Sequence, residues 1–395
     1  MSLVSIVKAS QYDKTTVSKA LEETFENLGG VDKFIKPGMK VALKANLLMK
    51  KRPEEAATTH PVLVGELARI IKNAGAEVLN IDSPGGPYTR SRLEDIYTAT
   101  GMKEIADEVG VQLNYDLSEV EVQNPDGKYI KKLKILKPLA EADLVINLPK
   151  LKTHGQMVYT GAVKNMFGAI AGITKVEYHF NMKEYTRFAD TLIDIFLSVK
   201  PALNIMDAII GMEGPGPSAG IPREIGVILA SENAFHLDMA AVNIINVDPK
   251  NVPVLKNSIE RGLCPDDING IELVGVPIDS VRIKDFSVPA LDGLREIRFV
   301  KNDFLKRLAG FMLPKPVFVL DKCIGCGECK RSCPPKAIEM KNKKPKVKLS
   351  KCIRCFCCQE LCPAKAIDIR KNKAVDRIVK IAAGVYMDIR GKVKH

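Results

Sequence analysis

Apolar residues in the first three hundred positions follow two different periods. Short apolar runs such as MKVALKAN, EVLNID, DLVINLP, ALNIMDAI and IGVILA predict buried strands. The segment TTHPVLVGELARIIKNAG has its apolar residues at helical spacing, with Thr59 or His60 as the cap, Pro61 in the first turn and Gly75 at the end. Strands alternating with amphipathic helices are typical of α/β proteins, so we predict a layered, largely parallel sheet.

A second pattern begins near residue 317 and repeats with a period of 29 residues. Each copy carries C-x2-C-x2-C-x3-C-P with a short apolar strand before and after it. This predicts a small α+β domain at residues 317–371, separate from a body at residues 1–300. Residues 301–316 are predicted to be a linker and residues 372–395 a basic C-terminal helix or tail.

Nine of the ten cysteines fall within this repeat, which favours metal binding over a disulfide framework. Zinc sites use Cys-x2-Cys pairs, but not two linked four-cysteine runs that each end in proline. In iron–sulfur proteins with this spacing, three thiolates hold one cluster and the fourth reaches the other cluster. The predicted ligands are therefore Cys323, Cys326, Cys329 and Cys362 for one [4Fe–4S] cluster, and Cys352, Cys355, Cys358 and Cys333 for the second.

The module resembles the bacterial-type two-cluster ferredoxins over its whole length, which implies two [4Fe–4S] clusters close enough to exchange electrons. Cys357 is then left over, in the position that Glu328 occupies in the first repeat. It is either an inert thiol, or a residue that tunes the potential through an S–H contact or replaces a damaged ligand.

Candidate chemistry in the body lies just after the predicted strands, where ligands of parallel sheets collect. Lysines beside glycines suit an anionic ligand, because glycine permits close backbone approach and lysine adds charge. No G-x-G-x-x-G or Walker pattern is present. The candidate ligand-binding residues are Lys44, Asn46, Asp82, Ser83, Gly85, Gly86, Lys150, Thr153, Lys164, Asn165 and Glu213.

His154 and Lys152 are the candidate catalytic residues, with His154 moving a proton beside cations that would lower its pKa. His154 could instead be a structural histidine. Asp82 is a candidate metal ligand, base or loop cap, and the GMEGPGP segment that contains Glu213 either binds the ligand or only shapes the pocket.

The combination of LKAN, IDSPGG, NLPKLKTH, GAVKNMFG and MDAIIGMEGPGP resembles the prokaryotic domain-of-unknown-function family 362, over about residues 1–300. Members of that family often carry a two-cluster ferredoxin module. The resemblance supports a site at these segments but implies no catalytic roles, because the family has no assigned reaction.

Charge is concentrated at the C-terminus. From Lys315 onwards there are 21 basic and 7 acidic residues, whereas the remainder has a net charge of −2. A basic surface of this kind suits an acidic electron carrier such as a ferredoxin or flavodoxin; solvation that offsets cluster charge is the alternative, and nucleic acid or lipid is disfavoured. The chain lacks a membrane-spanning apolar run and a secretory signal, so we expect a cytoplasmic protein.

We therefore predict an iron–sulfur oxidoreductase that passes electrons to or from an anionic substrate or cofactor in the body. A flavin would bridge one- and two-electron chemistry, although no motif demands it. One alternative is an electron carrier or accessory iron–sulfur subunit without a catalytic site. The other is a non-redox enzyme acting on an anionic metabolite, with structural or sensing clusters.

Overall fold

The computed structural model describes residues 3–182, 184–289 and 314–370. The chain divides into two compact units, residues 1–290 and 291–395. We call the first unit the body and residues 314–370 the module. Of the predicted linker only residues 314–316 are described, and the predicted tail, residues 372–395, lies outside the described residues.

The described body combines strands and helices in alternation. Its strands are β1 (Val4–Lys8), β2 (Lys40–Lys44), β3 (Glu77–Ile81), β4 (Gln112–Leu113), β5 (Glu119–Gln123), β6 (Lys132–Leu136), β7 (Leu144–Asn147), β8 (Lys150–His154), β9 (Val158–Thr160), β10 (Leu203–Glu213), β11 (Ile221–Ser231) and β12 (Leu273–Gly275). Its helices are α1 (Lys14–Asn27), α2 (Val31–Phe34), α3 (Pro61–Asn73), α4 (Arg90–Ala99), α5 (Met102–Val109), α6 (Lys137–Ala140), α7 (Ala162–Asn165), α8 (Gly172–Asn181), α9 (Tyr185–Val199), α10 (Ala234–Ile244) and α11 (Pro253–Glu260). None of the described helices combines the length and apolar composition needed to span a membrane.

One ten-stranded sheet organises the body. Its order is β12-β1-β11-β10-β7-β2-β3-β4, with β8 paired to β10 and β9 paired to β8. The pairs of β2 with β3 and β7, of β3 with β4, of β10 with β7 and β8, and of β1 with β12 are parallel, whereas β11 is antiparallel to both its neighbours and β9 to β8. The predicted α/β class with a largely parallel sheet is confirmed.

The segment KLKTHG differs from the expectation of a polar loop after a strand. After β7 the chain passes through Leu148 and Pro149 and then resumes as β8. Proline cannot donate a ladder hydrogen bond, so it interrupts the strand. The eleven-residue β10 continues past the end of β7 and pairs with β8 as well, placing Asp207 beside Lys150. The candidate lysines therefore lie on a strand whose positions are all buried.

Apolar packing fixes the layers. Helices α1, α3, α4 and α5 bury residues such as Leu21, Leu67 and Ile105 in one cluster with Leu43 of β2 and Ile205 of β10. The predicted start of α3 is correct: His60 is its N-cap and accepts a hydrogen bond from the Val62 N–H through Nδ1, with Pro61 as the first helical residue. Residues of β10 that alternate with the members of this cluster, such as Met206, face α10 instead. There the Tyr159 hydroxyl donates hydrogen bonds to the Met206 sulfur and to the Asp238 carboxylate.

The module repeats its structure as well as its sequence. The elements are β13 (Lys315–Phe318), α12 (Glu328–Arg331), β14 (Ile338–Lys341), β15 (Lys344–Val347), α13 (Cys357–Glu360) and β16 (Ile367–Arg370). Strand β13 pairs with β16 and β14 pairs with β15, both antiparallel. Each repeat therefore contributes one strand to each small sheet, which interlocks the two halves.

One buried carboxylate attaches the β5–β6 connection to helix α9. Asp194 accepts hydrogen bonds from the backbone N–H groups of Lys128 (2.8 Å), Tyr129 (2.7 Å) and Ile130 (3.0 Å). Arg261 adds an ion pair at 2.9 Å. A carboxylate satisfied in this way compensates for its own desolvation.

Replacing Asp194 by alanine should remove the hydrogen-bond partner of three backbone N–H groups and of one guanidinium at once. We expect the free energy of unfolding to fall by about 3–5 kcal/mol, measured by urea denaturation followed by circular dichroism. Asp126→Ala is the matched control, because Asp126 is 61% exposed and its pair with Lys200 should contribute less than about 1 kcal/mol. Equal losses in both variants would contradict this role for Asp194.

Candidate functional site

Eight cysteines of the module surround two cavities, four at each. The first cavity is lined by Cys323, Cys326, Cys329 and Cys362. The second is lined by Cys333, Cys352, Cys355 and Cys358. At each cavity three thiols come from one repeat and the fourth from the other, which is the grouping that the spacing predicts. The remaining lining is mostly apolar.

Backbone N–H groups point at equivalent sulfurs in the two repeats. Ala337 donates to Cys333 Sγ at 3.2 Å, and Ala366 donates to Cys362 Sγ at 3.3 Å. These two cysteines are the ones that cross from one repeat to the other cavity. An N–H directed at sulfur stabilises the thiolate that a metal cluster requires.

Cys357 lines neither cavity and is 5% exposed. It nevertheless contacts a cavity thiol: a hydrogen bond from Cys357 lowers the pKa of Cys355, and the same bond together with burial raises the pKa of Cys357. The surplus cysteine therefore lies behind a ligand position, as an S–H donor.

In the body, Lys44 and Asp82 form a fully buried ion pair at the ends of β2 and β3, with 2.7 Å between Nζ and Oδ1. Lys44 also donates to the Ala45 carbonyl at 2.6 Å, and Asp82 accepts from the Leu47 N–H at 2.8 Å. Gly168 covers this pair, since a Cβ there would lie 2.1 Å from Asp82 Oδ1. The pair is closed in by backbone, and burial lowers the pKa of Lys44.

Lys150 belongs to a second buried network. Its Nζ lies 2.9 Å from Asp207 Oδ2 and 2.7 Å from the Tyr12 hydroxyl, which donates to Asp207 Oδ1 at 2.6 Å. The His60 N–H donates to the same carboxylate at 2.9 Å, and the His60 ring stacks on Tyr12 with 3.6 Å between centroids. One carboxylate thus joins three segments that are distant in the sequence.

Lys152 starts a chain of amides across the strand ends. Its Nζ donates to Asn46 Oδ1 and to the Ala57 carbonyl, both at 2.7 Å. Asn46 then donates to Asn165 at 2.8 Å, and Asn165 donates to Asn147 at 2.7 Å. The segments LKAN, LVINLP, KLKTHG and GAVKNMFG therefore meet at one place.

The last residues of β8 are held by backbone groups. His154 is 3% exposed, and its Nδ1 accepts hydrogen bonds from the N–H groups of Gln156 (3.0 Å) and Met157 (3.2 Å). The proton of the neutral imidazole is therefore on Nε2. Thr153 donates to the Gly214 carbonyl at 2.9 Å, which attaches β8 to the GPGP turn.

The carboxylate of Glu213 contacts residues outside the lysine segments. It accepts from the Ser287 N–H at 3.0 Å and lies 3.9 Å from Arg223. This arrangement fits the interpretation of the GMEGPGP segment as a turn that shapes its surroundings.

Backbone groups of the loop after β3 attach it to neighbouring segments. The Ser83 N–H donates to the Gly168 carbonyl at 3.0 Å, and the Gly85 N–H donates to Leu48 at 2.8 Å. Gly86 has a φ of 89°, in the left-handed region that glycine tolerates. The loop thus encloses the Lys44–Asp82 pair from the side of β3.

Helix α7 carries Lys164, which is half-buried, and its first turn is capped by a residue of α10. Asp238 accepts from the N–H groups of Ala162 (2.6 Å) and Val163 (3.1 Å). Complete burial raises the pKa of Asp238 to about 6. Gly161 permits this approach, because a Cβ there would lie 2.1 Å from Asp238 Oδ1.

Sequence reasoning missed the partners that define these networks. Tyr12 and Asp238 lay outside every quoted motif, whereas Asn147 and Asp207 lay within NLPKLKTH and MDAIIGMEGPGP but were given no role. Both residues lie in buried apolar strands, and a polar residue in such a strand was a further signal that could have found them.

The environment of His60 predicts an unusual titration. Burial lowers its pKa to about 4, and Lys150 acts in the same direction against Asp207. The folded state therefore disfavours protonation, so this group's contribution to stability is present above about pH 6.5 and is lost as the pH falls towards 4. NMR of the imidazole C2–H should give a midpoint near 4, with His60→Asn identifying the resonance and retaining a helix cap. A midpoint near 6.5 would show that the ring is solvated.

Comparison with known proteins follows the same division of the chain. A family model described as "Domain of unknown function (DUF362)" matches residues 41–243, and a "4Fe-4S dicluster domain" matches residues 315–363. A "Thylakoid-associated protein sll1697" from Synechocystis sp. is 33% identical over 267 residues, which covers 66% of this chain and 80% of that protein. The lactate racemase apoprotein from Thermoanaerobacterium thermosaccharolyticum aligns with 17% identity and a TM-score of 0.37, over 60% of this chain and 55% of that structure. With all four segments of the body site inside the first match and the cysteine repeat inside the second, the chain belongs to the DUF362 family and carries an iron–sulfur domain of the 4Fe–4S type.

Proposed function

We propose that the module binds two [4Fe–4S] clusters and that the chain is an iron–sulfur oxidoreductase. The observation that carries the proposal is the division of eight cysteines into two groups of four around two cavities. Bound clusters would supply one-electron transfer.

The donor set suits clusters better than zinc. Each cavity is lined by the three thiols of one C-x2-C-x2-C run and a fourth thiol from the other repeat, which is the donor set of a [4Fe–4S] cluster. The apolar lining, with residues such as Met340 and Ile367 at the first cavity, would keep water from the cluster sulfurs.

In the body, the same proposal assigns an anionic ligand to the carboxyl edge of the sheet. Lys152 and Lys164 would hold its charge, with Asn46 and Asn165 fixing the Lys152 ammonium. His154 would donate or accept a proton through Nε2, since its Nδ1 is occupied by backbone donors. A flavin that carries phosphate is one anionic cofactor of this kind.

The sequence predicts that Lys44 and Lys150 bind the ligand, but the structure favours a supporting role for both. Each ammonium is buried and neutralised by a carboxylate, so we expect both to support the site rather than to touch the ligand. That observation also favours the second candidate, an electron-carrying accessory subunit whose body binds no substrate. A non-redox enzyme with structural or sensing clusters is the third outcome that the experiments separate.

Partner and location are part of the proposal. The described module has 14 basic and 5 acidic residues, which favours an acidic electron carrier such as a ferredoxin or flavodoxin. We propose a cytoplasmic location; attachment to a membrane surface, in line with the name of the thylakoid-associated relative, is the alternative.

Anaerobically purified protein should contain about eight iron and eight sulfide per chain, and dithionite should bleach its visible absorbance and produce an EPR signal. Cys358→Ser should lose about half of the iron, whereas Cys357→Ser should retain it, because Cys358 lines the second cavity and Cys357 does not.

Iron loss of equal size in both cysteine variants would contradict the ligand assignment. Clusters that dithionite cannot reduce would exclude both redox candidates and leave the non-redox enzyme.

Carboxylate and phosphate compounds that bind the body should raise its melting temperature through linkage. For any such compound, Lys164→Gln should reduce the shift to roughly half or less, and Lys36→Gln, at an exposed position outside the site, should not. A panel without any stabilising compound would count against the enzyme and favour the accessory subunit.

A further inference from the structure

The two cavities of the module are related by the repeat but differ in exposure. At the first cavity, Ile324 is 69% exposed and Cys326 is exposed. At the second, the equivalent residues Ile353 and Cys355 are half-buried, and Phe356 is 4% exposed. A redox partner can therefore approach the first set of thiols more closely than the second.

A lysine-rich turn lies beside the first cavity. It joins β14 to β15, and Asn342 and Lys343 take left-handed φ values of 49° and 59°. Lys344 Nζ donates to the carbonyls of Leu320 (2.6 Å) and Cys323 (3.0 Å), which attaches the turn to the loop that carries the first thiols. Contact is close, since a Cβ at Gly325 would lie 2.9 Å from the Lys343 carbonyl.

The second cavity has no equivalent turn within the described residues. By the 29-residue repeat, the counterpart of the β14–β15 pair is the pair of β16 with β13. That pair is formed by the two ends of the module, at Lys315 and Arg370. The two halves of the repeat are therefore asymmetric. At the first cavity, a turn that carries basic residues connects β14 to β15. At the second cavity, the corresponding strands β13 and β16 are the two ends of the described module.

Charge and apolar surface coincide at the first cavity. Leu320 and Ile324 are exposed apolar residues of the loop beside the first cavity, and Lys322, Lys341 and Lys343 are exposed in the same loop and in the turn. An apolar contact with a charged rim is the arrangement that brief, electrostatically guided complexes use. Bound clusters would offset part of the positive charge of the module, but not its uneven distribution.

We propose that this face, defined by Leu320, Lys322, Ile324, Lys341 and Lys343, is the docking surface for a small acidic electron carrier. The inference rests on the redox function proposed above and makes the first cavity the site of electron exchange with the partner. A cluster held by the thiols of the first cavity would accept one electron for each electron that the reduced carrier gives up.

The repeat supplies a matched pair of variants. Lys322 and Lys351 occupy equivalent exposed positions before the first cysteine of each repeat, so Lys322→Glu and Lys351→Glu change the net charge equally. The probe is an oxidised acidic flavodoxin, with its dissociation constant from calorimetry at low and high salt. Lys322→Glu should raise the dissociation constant about fivefold or more at low salt, and the difference should vanish near 0.5 M salt. Lys351→Glu should change it less than about twofold.

Two further measurements separate the possible failures. Ile324→Ser should weaken binding at both salt concentrations, because it removes apolar contact rather than charge. Iron content and reduction by dithionite are measured for the wild type and for every variant. A wild-type protein whose clusters cannot be reduced would contradict the proposed redox function itself. If the clusters are reducible but the two lysine variants have equal effects, the proposed docking surface is wrong and the redox function stands. The same conclusion follows if the wild type has reducible clusters but does not bind flavodoxin.

Discussion

Burying an ammonium is costly unless oxygen partners compensate its charge, and the Lys150–Asp207 ion pair shows how this constraint connects distant parts of the body. Asp207 meets Lys150, the Tyr12 hydroxyl and the His60 backbone within 3 Å, and so connects β10, β8, the segment before α1 and the start of α3. Removing one partner would leave the other charge in an apolar interior, at a cost of several kcal/mol. The sheet order that places β8 beside β10 is therefore tied to electrostatics as well as to apolar packing.

The need to compensate buried charge also limits which lysines are available to bind an anionic ligand. Four lysines looked equivalent by their position next to strand ends or glycines. Lys44 and Lys150 are closed ion pairs, whereas Lys152 is oriented by amide and carbonyl oxygens and Lys164 is half-buried on a short helix. Charge that has already been compensated serves the structure, so we propose that Lys44 and Lys150 support the edge rather than bind a ligand.

In the module, the spacing of cysteines along the chain brings the side chains of a site together, whereas in the body tertiary contacts do so. Three thiols within seven residues can reach one cavity without help from the rest of the chain, which is why the spacing alone predicted the two groups of four cysteines. The repeat could not predict the difference between the halves. The lysine turn at the first cavity depends on how β14 and β15 connect, and within the described residues this connection has no counterpart in the other half.

By itself the sequence determined the α/β class, the start of α3, the division into body and module, and the cysteine grouping, because each depends on local periodicity or spacing. Only the tertiary structure decided that KLKTHG is a strand, that Tyr12 and Asp207 share a network with Lys150, and that Asn46, Asn147 and Asn165 form one chain of amides. Several of these contacts join residues more than a hundred positions apart, such as Tyr12 and Asp207 or Asn46 and Asn165. Their partners are selected by strand order and burial, and neither quantity is encoded in a local pattern.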